Sequence, residues 1–343
     1  MNSSTKIVCN NVWKIFGPNP EKTLAGLDHS LSRAEILEQT GHVVAVRNMS
    51  FRVEEGETFV VMGLSGSGKS TLVRCLSRLI EPTSGEVLID NDDVIKMDVA
   101  ALTNLRRTKM SMVFQHFGLF PHRRVVDNIA FGLEIRGMGK KERTDKAMEV
   151  LEMVGLSGWD QHFPRELSGG MQQRVGLARA MAVNPEVLIF DEPFSALDPL
   201  IRREMQDELL RLQKLVKKTM VFITHDFLEA IKMGDHIAIM KDGETSQIGT
   251  PEELVAEPAD DYVREFTEDV PRYKVLSVAK IMQPPENVTL SDNTTTVKPD
   301  DKLEALIDLV SSSNGPLGVV DDSGELVGEI NQAMVLKAMN SRS

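Results

Sequence analysis

A glycine-rich segment at residues 63–70, GLSGSGKS, has the residue types and spacing of a phosphate-binding loop. Glycines allow the backbone to curl so that successive N–H groups point at phosphate oxygens. Lys69 would neutralise the β- and γ-phosphates of a nucleotide, and the hydroxyl of Ser70 would bind Mg²⁺. A flexible glycine loop is the alternative interpretation. We expect the nucleotide to contact Gly63, Ser65, Gly66, Gly68, Lys69, Ser70 and Thr71.

Two carboxylates, Asp191 and Glu192, follow an apolar run at residues 187–190. This run has the composition of a buried parallel strand, and a carboxylate at the C-terminal end of such a strand can hold Mg²⁺. The second carboxylate can orient or deprotonate a water molecule. Taken alone, an Asp-Glu pair after an apolar run is more often a loop or a helix cap. The phosphate-binding loop upstream favours the catalytic interpretation.

Short apolar runs and amphipathic segments alternate around these motifs. We predict strands at residues 7–16, 43–53, 58–62, 187–190 and 220–223, and helices at about 33–39, 70–79 and 201–216. Strands that alternate with helices imply an α/β core with a parallel sheet. The phosphate-binding loop then lies between a strand and a helix, which is the context that the motif requires.

A second motif, LSGGMQQR at residues 167–174, resembles the signature of ABC-transporter ATPases. The other motifs of that family are present in order: Gln115 resembles the Q-loop, residues 195–198 the D-loop, and His225 the switch histidine. The resemblance covers about residues 7–266. It implies a P-loop NTPase of the ABC cassette type, with a mixed sheet core and a helical signature subdomain at about 116–180.

In this family the signature acts on a partner subunit. Ser168, Gly169 and Gly170 begin a helix, whose N-terminal N–H groups favour anions, and in the family they meet the γ-phosphate held by a second copy of the chain. The resemblance therefore implies an ATP-sandwich dimer. It also implies that Asp198, in the D-loop, contributes to nucleotide binding. A plain helix N-cap is the alternative role for the Ser-Gly-Gly segment, and the two roles use the same donors.

The resemblance also implies catalytic roles. His225 would contact the γ-phosphate and Glu192, and Gln115 would reach Mg²⁺ and the attacking water. A histidine after an apolar strand is, by itself, more often structural. Phe16 lies where the family usually has an aromatic side chain that stacks on adenine, with Trp13 as the alternative; either could instead belong to the core.

Three features narrow the branch of the family. About 25 residues, 18–42, separate the first two predicted strands, and the motifs around 63–74, 79–85 and 196–202 resemble the quaternary-amine uptake group. That group ends in CBS-type modules, which residues 277–343 resemble. The resemblance implies an importer ATPase for glycine betaine, choline, carnitine, proline betaine or trimethylamine N-oxide. The sequence does not choose among these compounds, because substrate recognition resides in other chains.

We divide the chain into an ATPase domain at 1–267, a linker at 268–276 and a single small CBS-like αβ module at 277–343. Within the module we predict a helix at 303–310. Two short strands, 319–320 and 326–330, would form a hairpin.

CBS-type motifs normally work as pairs, so a second copy of the chain could supply the partner of the single predicted module. Nucleotide-binding CBS motifs tend to place Ser/Thr and Asp after their last strand, where this chain has Asn331 and Met334. A methionine offers no hydrogen bond to a ribose hydroxyl. We expect a structural or dimer-bracing module without an adenine nucleotide of its own.

The composition constrains the partners and the location. The chain of 343 residues has 39 Lys and Arg against 51 Asp and Glu, which argues against nucleic-acid binding through a basic surface. Its start does not resemble a signal peptide, and it has no long apolar run. We expect a peripheral protein at the cytoplasmic face of the bacterial inner membrane. Its partners would be a membrane permease, bound by a groove after Gln115, and indirectly an extracytoplasmic substrate-binding protein.

Two other functions fit the sequence less well. A soluble ABC ATPase of translation or DNA repair would usually carry two cassettes or a coiled-coil insertion, and the sequence has neither. A pure binding or regulatory module would not need Glu192 and His225.

Overall fold

A computed structural model describes residues 4–115, 118–285, 288, 295–313 and 315–340. Contacts divide the chain into two compact units, Met1–Thr245 and Ser246–Ser343. This division falls inside the range that the sequence assigns to the ATPase domain, whose boundary at 267 stays a prediction. Among the described residues, no helix is long and apolar enough to span a bilayer.

The elements of the first unit include every strand and helix predicted for it. Its strands are β1 (Thr5–Phe16), β2 (Val43–Glu54), β3 (Thr58–Met62), β4 (Ser84–Ile89), β5 (Asp92–Asp93), β6 (Met110–Val113), β7 (Val187–Asp191), β8 (Thr219–Thr224) and β9 (His236–Lys241), and β10 (Glu244–Gly249) spans the division. Its helices are α1 (Pro20–Ala25), α2 (Arg33–Thr40), α3 (Lys69–Leu76), α4 (Val99–Thr108), α5 (Val125–Ile135), α6 (Lys140–Met153), α7 (Gly169–Ala182), α8 (Pro199–Val216) and α9 (Phe227–Met233).

A parallel sheet forms the centre of this unit. The strands that lie wholly in the unit run in the order β9-β3-β8-β7-β6, and each neighbouring pair is parallel. Every residue of β3, β7 and β8 is buried, which explains why these strands read as short continuous apolar runs. Met62 pairs with Thr224, and Asp191 pairs with Ile223. The residues that follow these strands are therefore neighbours at one edge of the sheet.

A second, antiparallel sheet has the order β2-β1-β4-β5. The 25-residue insertion between β1 and β2 forms α1 and α2. The Ser32–Glu35 capping box predicted at the start of α2 is present, and Gly41, with a φ of 70°, ends the helix. Helix α1 was not predicted; it begins at Pro20, whose missing N–H is harmless in the first turn.

Helices α5, α6 and α7 make up the predicted helical part of the unit. The buried Asn128 of α5 holds the segment that precedes it. Its side-chain amide donates to the carbonyl oxygens of Phe120, Arg123 and Arg124, and its Oδ1 accepts from the backbone N–H of Phe120. Fully hydrogen-bonded buried amides restrain the backbone that they contact. His116 and Phe117, at the start of the predicted subdomain, lie outside the described residues.

The second unit contains a small three-stranded sheet. Its elements are α10 (Pro251–Ala256), α11 (Asp261–Thr267), β11 (Thr296–Val297), α12 (Leu303–Ser312), β12 (Leu317–Val320), β13 (Leu326–Ile330) and α13 (Gln332–Asn340). Strand β12 is parallel to β11 and antiparallel to β13, which confirms the predicted hairpin. Helix α12 confirms the helix predicted at 303–310. A separate apolar core that includes Leu306, Val319 and Ile330 stabilises the sheet.

Candidate active site

The phosphate loop, residues 63–70, connects β3 to α3. Gly63 has a φ of 149°, and an added Cβ there would lie 2.3 Å from the carbonyl oxygen of Met240. Gly68 has a φ of 106°, and its added Cβ would lie 2.1 Å from the carbonyl oxygen of Ala45. Only glycine fits at these two positions, because the backbones of β9 and β2 lie directly against the loop. The buried hydroxyl of Ser67 has no hydrogen-bond partner among the described residues, as expected in a loop built for a polar ligand.

Lys69 is buried at the centre of the site. Its Nζ donates to the carbonyl oxygens of Gly63 at 2.7 Å and Leu64 at 3.1 Å. The same Nζ lies 3.8 Å from Oε1 of Glu192. Burial lowers the pKa of Lys69 from its ordinary value, and the carboxylates of Glu192 and Asp191 oppose this shift. An anion bound in the loop would favour the charged ammonium further.

Ser70 and Asp191 form the predicted metal-binding pair. Asp191, the last residue of β7, is buried, and its Oδ1 accepts a hydrogen bond of 2.8 Å from Oγ of Ser70. Its Oδ2 accepts from Nη2 of Arg74 at 3.2 Å. A hydroxyl and one carboxylate beside a phosphate site form the donor set with which proteins bind Mg²⁺, so these residues fit that ion. Arg74 was not predicted, although it lies one helical turn beyond Ser70 on α3.

Glu192 connects the ends of two strands. Its backbone N–H donates to the carbonyl oxygen of Ile223, and its Oε2 lies 3.2 Å from Nδ1 of His225. The hydroxyl of Ser195 donates to its carbonyl oxygen. Glu192 also has a φ of 47°, a left-handed conformation that is strained by about 1–2 kcal/mol in a non-glycine residue. Such strain persists where surrounding contacts enforce it, and it is frequent in active sites.

The signature residues lie at the start of α7. The Oγ of Ser168 accepts from the N–H of Met171 at 3.3 Å and caps this helix. An added Cβ at Gly170 would lie 2.6 Å from Cγ2 of Ile201, so the first turn of α7 packs closely against α8. Asp198 caps α8 by accepting from the N–H groups of Leu200 and Ile201.

The contacts thus place the predicted residues in two groups. The group around the phosphate loop contains Lys69, Ser70, Asp191, Glu192 and His225. The other group contains Gly169 and Gly170 of the signature together with the D-loop. An added Cβ at Gly169 would lie 3.5 Å from Cδ2 of Leu197, which belongs to the D-loop.

Gln115 and Phe16 are both exposed. Gln115 comes two residues after β6, whose end is paired with Phe190 of β7, so it lies at the same edge of the sheet as Asp191. Phe16 ends β1 with 41% of its surface exposed, whereas Trp13 is only 8% exposed and belongs to a buried cluster. Of the two aromatic candidates, Phe16 is therefore the one available to stack on a base.

Comparisons with known proteins found similar sequences. The protein-family model with the description "ABC transporter" matches residues 46–195. The chain is 49% identical over 340 residues to the trimethylamine N-oxide transport system ATP-binding protein of Pelagibacter ubique, covering 99% of both chains. It is 53% identical over 276 residues to the glycine betaine/proline betaine transport system ATP-binding protein of Escherichia coli, covering 80% of this chain and 69% of that protein.

Two solved structures are similar in fold to part of the chain. A dimeric bacterial ABC transporter cassette aligns with a TM-score of 0.59 at 34% identity, covering 71% of this chain and 98% of that chain. A dimeric post-hydrolysis state of such a cassette, bound to ADP and phosphate, aligns with a TM-score of 0.60 over the same coverage.

Proposed function

Since the chain belongs to the family of ABC transporter ATP-binding proteins, we propose that it hydrolyses ATP to energise the import of a quaternary amine or related methylated osmolyte. One observation carries the catalytic part of this proposal. The carboxylate of Glu192 lies between Lys69, at 3.8 Å from Nζ, and His225, at 3.2 Å from Nδ1. A base, a phosphate-binding cation and a hydrogen-bonding histidine then converge at one edge of the sheet.

The phosphate loop binds the nucleotide. Its backbone N–H groups and Lys69 bind the β- and γ-phosphates, and Ser65 and Thr71 add polar groups at either end. Ser70, Asp191 and Gln115 hold Mg²⁺, and Phe16 stacks on the adenine. When bound, Mg²⁺ neutralises the charge that develops on the phosphates.

Hydrolysis needs a water molecule aligned with the γ-phosphorus. The carboxylate of Glu192 orients this water and accepts its proton while the new P–O bond forms and the bond to the β–γ bridging oxygen breaks. His225 holds Glu192 and the γ-phosphate in this alignment. The contacts of Glu192 with Ile223 and Ser195 support the proposal because they restrain the base in a strained backbone conformation.

A second copy of the chain completes the site. Ser168, Gly169 and Gly170 bind the γ-phosphate held by that copy, and Asp198 supports the contact by capping α8. The start of α7 at Gly169 supports this assignment, because the N-terminal end of a helix favours anions. The dimeric cassettes at 34% identity support it as well.

The membrane partner is a permease, and the chain acts peripherally at the cytoplasmic face of the bacterial inner membrane. A short cytoplasmic helix of the permease binds the groove that follows Gln115, where Asn128 of α5 restrains the backbone of Phe120. An extracytoplasmic substrate-binding protein delivers the substrate to that permease. The named relatives support this arrangement, because both are ATP-binding proteins of transport systems.

The transported compound belongs to the class that those relatives carry. Their names specify trimethylamine N-oxide in one case, and glycine betaine and proline betaine in the other. These compounds share a fully methylated or alkylated nitrogen. Choline and carnitine belong to the same chemical class.

Residues 277–343 form a single CBS-like module with a structural or dimer-bracing role. Asn331 supports this role, because its Oδ1 accepts from the N–H of Met334 and so serves to begin α13. The segment also has five basic residues against ten acidic ones, which opposes attraction to an anionic membrane surface.

The test is transport by the reconstituted complex. The chain is co-expressed with its permease and substrate-binding protein, and uptake of labelled trimethylamine N-oxide and glycine betaine into ATP-loaded vesicles is measured. We expect ATP-dependent uptake of at least one compound, and none with Glu192→Gln. Membrane fractionation that does not depend on the permease, or the absence of uptake in an ATP-hydrolysing complex, would contradict the proposal.

A further inference from the structure

The segment inserted between β1 and β2 contacts the phosphate loop. Arg33, the first residue of α2, donates from Nη1 to the carbonyl oxygen of Gly66 at 2.6 Å. Gly66 has a φ of 82°, and the space where its side chain would begin is open among the described residues. A charge-assisted hydrogen bond of this kind is stronger than one between neutral groups, so the middle of the loop is held from outside by α2.

The C-terminal end of α2 is connected, through His42, to Gly17 and Pro18 at the start of the insertion. His42, two residues after α2, places Nε2 at 2.7 Å from the carbonyl oxygen of Pro18 and Nδ1 at 2.8 Å from that of Thr40. An added Cβ at Gly17 would lie 2.3 Å from Cδ2 of the His42 ring. The ring therefore packs directly against the backbone that follows Phe16.

Helix α2 is a rigid connection between these two contacts. Its Ile36 is fully buried in a cluster with Trp13, Ile15 and Val44. A capping box closes its first turn at Ser32. A capped helix with a buried anchor moves as one body, so the two contacts at its ends keep a constant separation.

We propose that α2 is a bracket that holds the phosphate loop and the adenine-stacking Phe16 in the geometry that ATP requires, with Arg33 as a positioning residue for ATP binding. The inference rests on the proposed roles of Lys69 and Phe16. A loop held in its binding conformation loses less conformational freedom when the ligand arrives, which increases affinity without a new ligand contact. The effect falls on binding rather than on hydrolysis, because the described contact of Arg33 is with the loop backbone and not with Glu192.

The experiment compares four forms of the full chain: wild type, Arg33→Ala, Arg33→Lys and Lys22→Ala. Lys22 is an exposed cation on α1 of the same insertion, so its removal is a control for charge. ATP affinity is measured by calorimetry, and the KM and kcat of ATP hydrolysis are measured together with the melting temperature. Hydrogen exchange of the amides in the loop is followed without nucleotide.

We expect Arg33→Ala to weaken ATP binding and raise KM by about 3- to 10-fold, the range of one charge-assisted hydrogen bond in a half-exposed position. Its kcat should stay within about twofold of wild type, since no group at the reacting phosphate changes. Exchange in the loop should be faster. Arg33→Lys should recover most of the affinity, because an ammonium group can also donate to Gly66.

Affinity and loop exchange in Arg33→Ala equal to those of Lys22→Ala would overturn the inference, as would a loss of kcat with an unchanged KM. Failure of the proposed ATP site gives a different result, in which the wild type itself binds no ATP or Lys69→Ala binds it equally well. Arg33→Met, which keeps a long unbranched side chain without a hydrogen-bond donor, replaces Arg33→Ala in the comparison if the alanine variant does not fold.

Discussion

Oε2 of Glu192 lies 3.2 Å from Nδ1 of His225, although 33 residues separate them in the chain. The two side chains follow β7 and β8, which are adjacent and parallel, and the backbone N–H of Glu192 donates across the same gap to Ile223. This contact is a direct consequence of the strand order. The hydrogen bond between Glu192 and His225 is therefore a property of the rigid sheet rather than of a mobile loop.

Glu192→Gln should separate ATP binding from hydrolysis. Glutamine keeps the size and the hydrogen bond to His225 but cannot accept the proton of water. We expect kcat to fall by about 100-fold or more while ATP still binds, so that the closed dimer accumulates. Lys69→Ala should instead lose nucleotide affinity. Near wild-type turnover of Glu192→Gln in a steady-state ATPase assay would show that the assignment of the base is wrong.

Asp191→Asn should weaken the response to Mg²⁺. The substitution removes the negative charge next to Ser70 while retaining one oxygen acceptor. The Mg²⁺ concentration needed for half-maximal hydrolysis should rise by roughly 10- to 100-fold, the usual loss when the ligands around a metal are disturbed. Binding of ATP without Mg²⁺, measured by calorimetry in EDTA, should change less. An unaltered Mg²⁺ titration would contradict the metal site.

Phe16→Ala should weaken the binding of ATP and of GTP to a similar extent. Stacking on an aromatic ring contributes about 1–3 kcal/mol per base, so ATP and GTP should both bind roughly 5- to 150-fold more weakly. Phe16→Trp should retain the affinity. Trp13→Phe is the matched control: Trp13 is buried, so this change should lower the melting temperature and reduce nucleotide affinity far less than Phe16→Ala. The reverse pattern would assign the stacking role to Trp13.

Gly170→Ala should prevent ATP-dependent dimerisation. The new methyl group would lie 2.6 Å from Cγ2 of Ile201 and would displace the first turn of α7, whose N–H groups we propose to bind the phosphate held by the partner. The dimer is detected by light scattering in the Glu192→Gln background. Adding Ile201→Ala removes the clashing methyl group and should restore the dimer. If Gly170→Ala dimerises as well as its parent, the first turn of α7 does not form the interface.

Glu229→Gln should stabilise the folded chain at neutral pH. Burial of Glu229 raises the pKa of its carboxyl group above the ordinary 4.5, against the hydrogen bonds from Thr224 and Gln206. The folded state then binds the proton more tightly than the unfolded state, so the free energy of unfolding falls as the pH rises above about 4.5. Glutamine removes this dependence. We expect a gain of about 1 kcal/mol at pH 7 that disappears below the ordinary carboxyl pKa.

Chemical denaturation at several pH values measures this effect. Glu204→Gln, at an exposed position of α8, removes the same charge and serves as the control. A constant difference between Glu229→Gln and wild type from pH 4 to pH 8 would show that the carboxyl group does not titrate differently in the folded state.

Local sequence determined several of the strands and helices and the residues of the phosphate loop. The runs that became β3, β7 and β8 are recognisable because both faces of each strand are buried, and the capping box of α2 because its contacts lie within four residues. The loop glycines are recognisable because the backbone there must adopt conformations that other residues avoid. The family motifs then predicted that His225 belongs to the same site as Asp191 and Glu192, although no local pattern relates it to them.

Tertiary structure alone decided which side chains meet. Arg33 has no motif, and its contact with Gly66 depends on how the insertion folds back over the loop. The choice between Phe16 and Trp13 depends on burial, which the residue type alone does not reveal when both lie in the same strand. The close packing of Gly170 on Ile201 likewise joins two helices that are distant in the chain. Sequence patterns report short-range periodicity and backbone preference, whereas these contacts arise only when separate elements pack together.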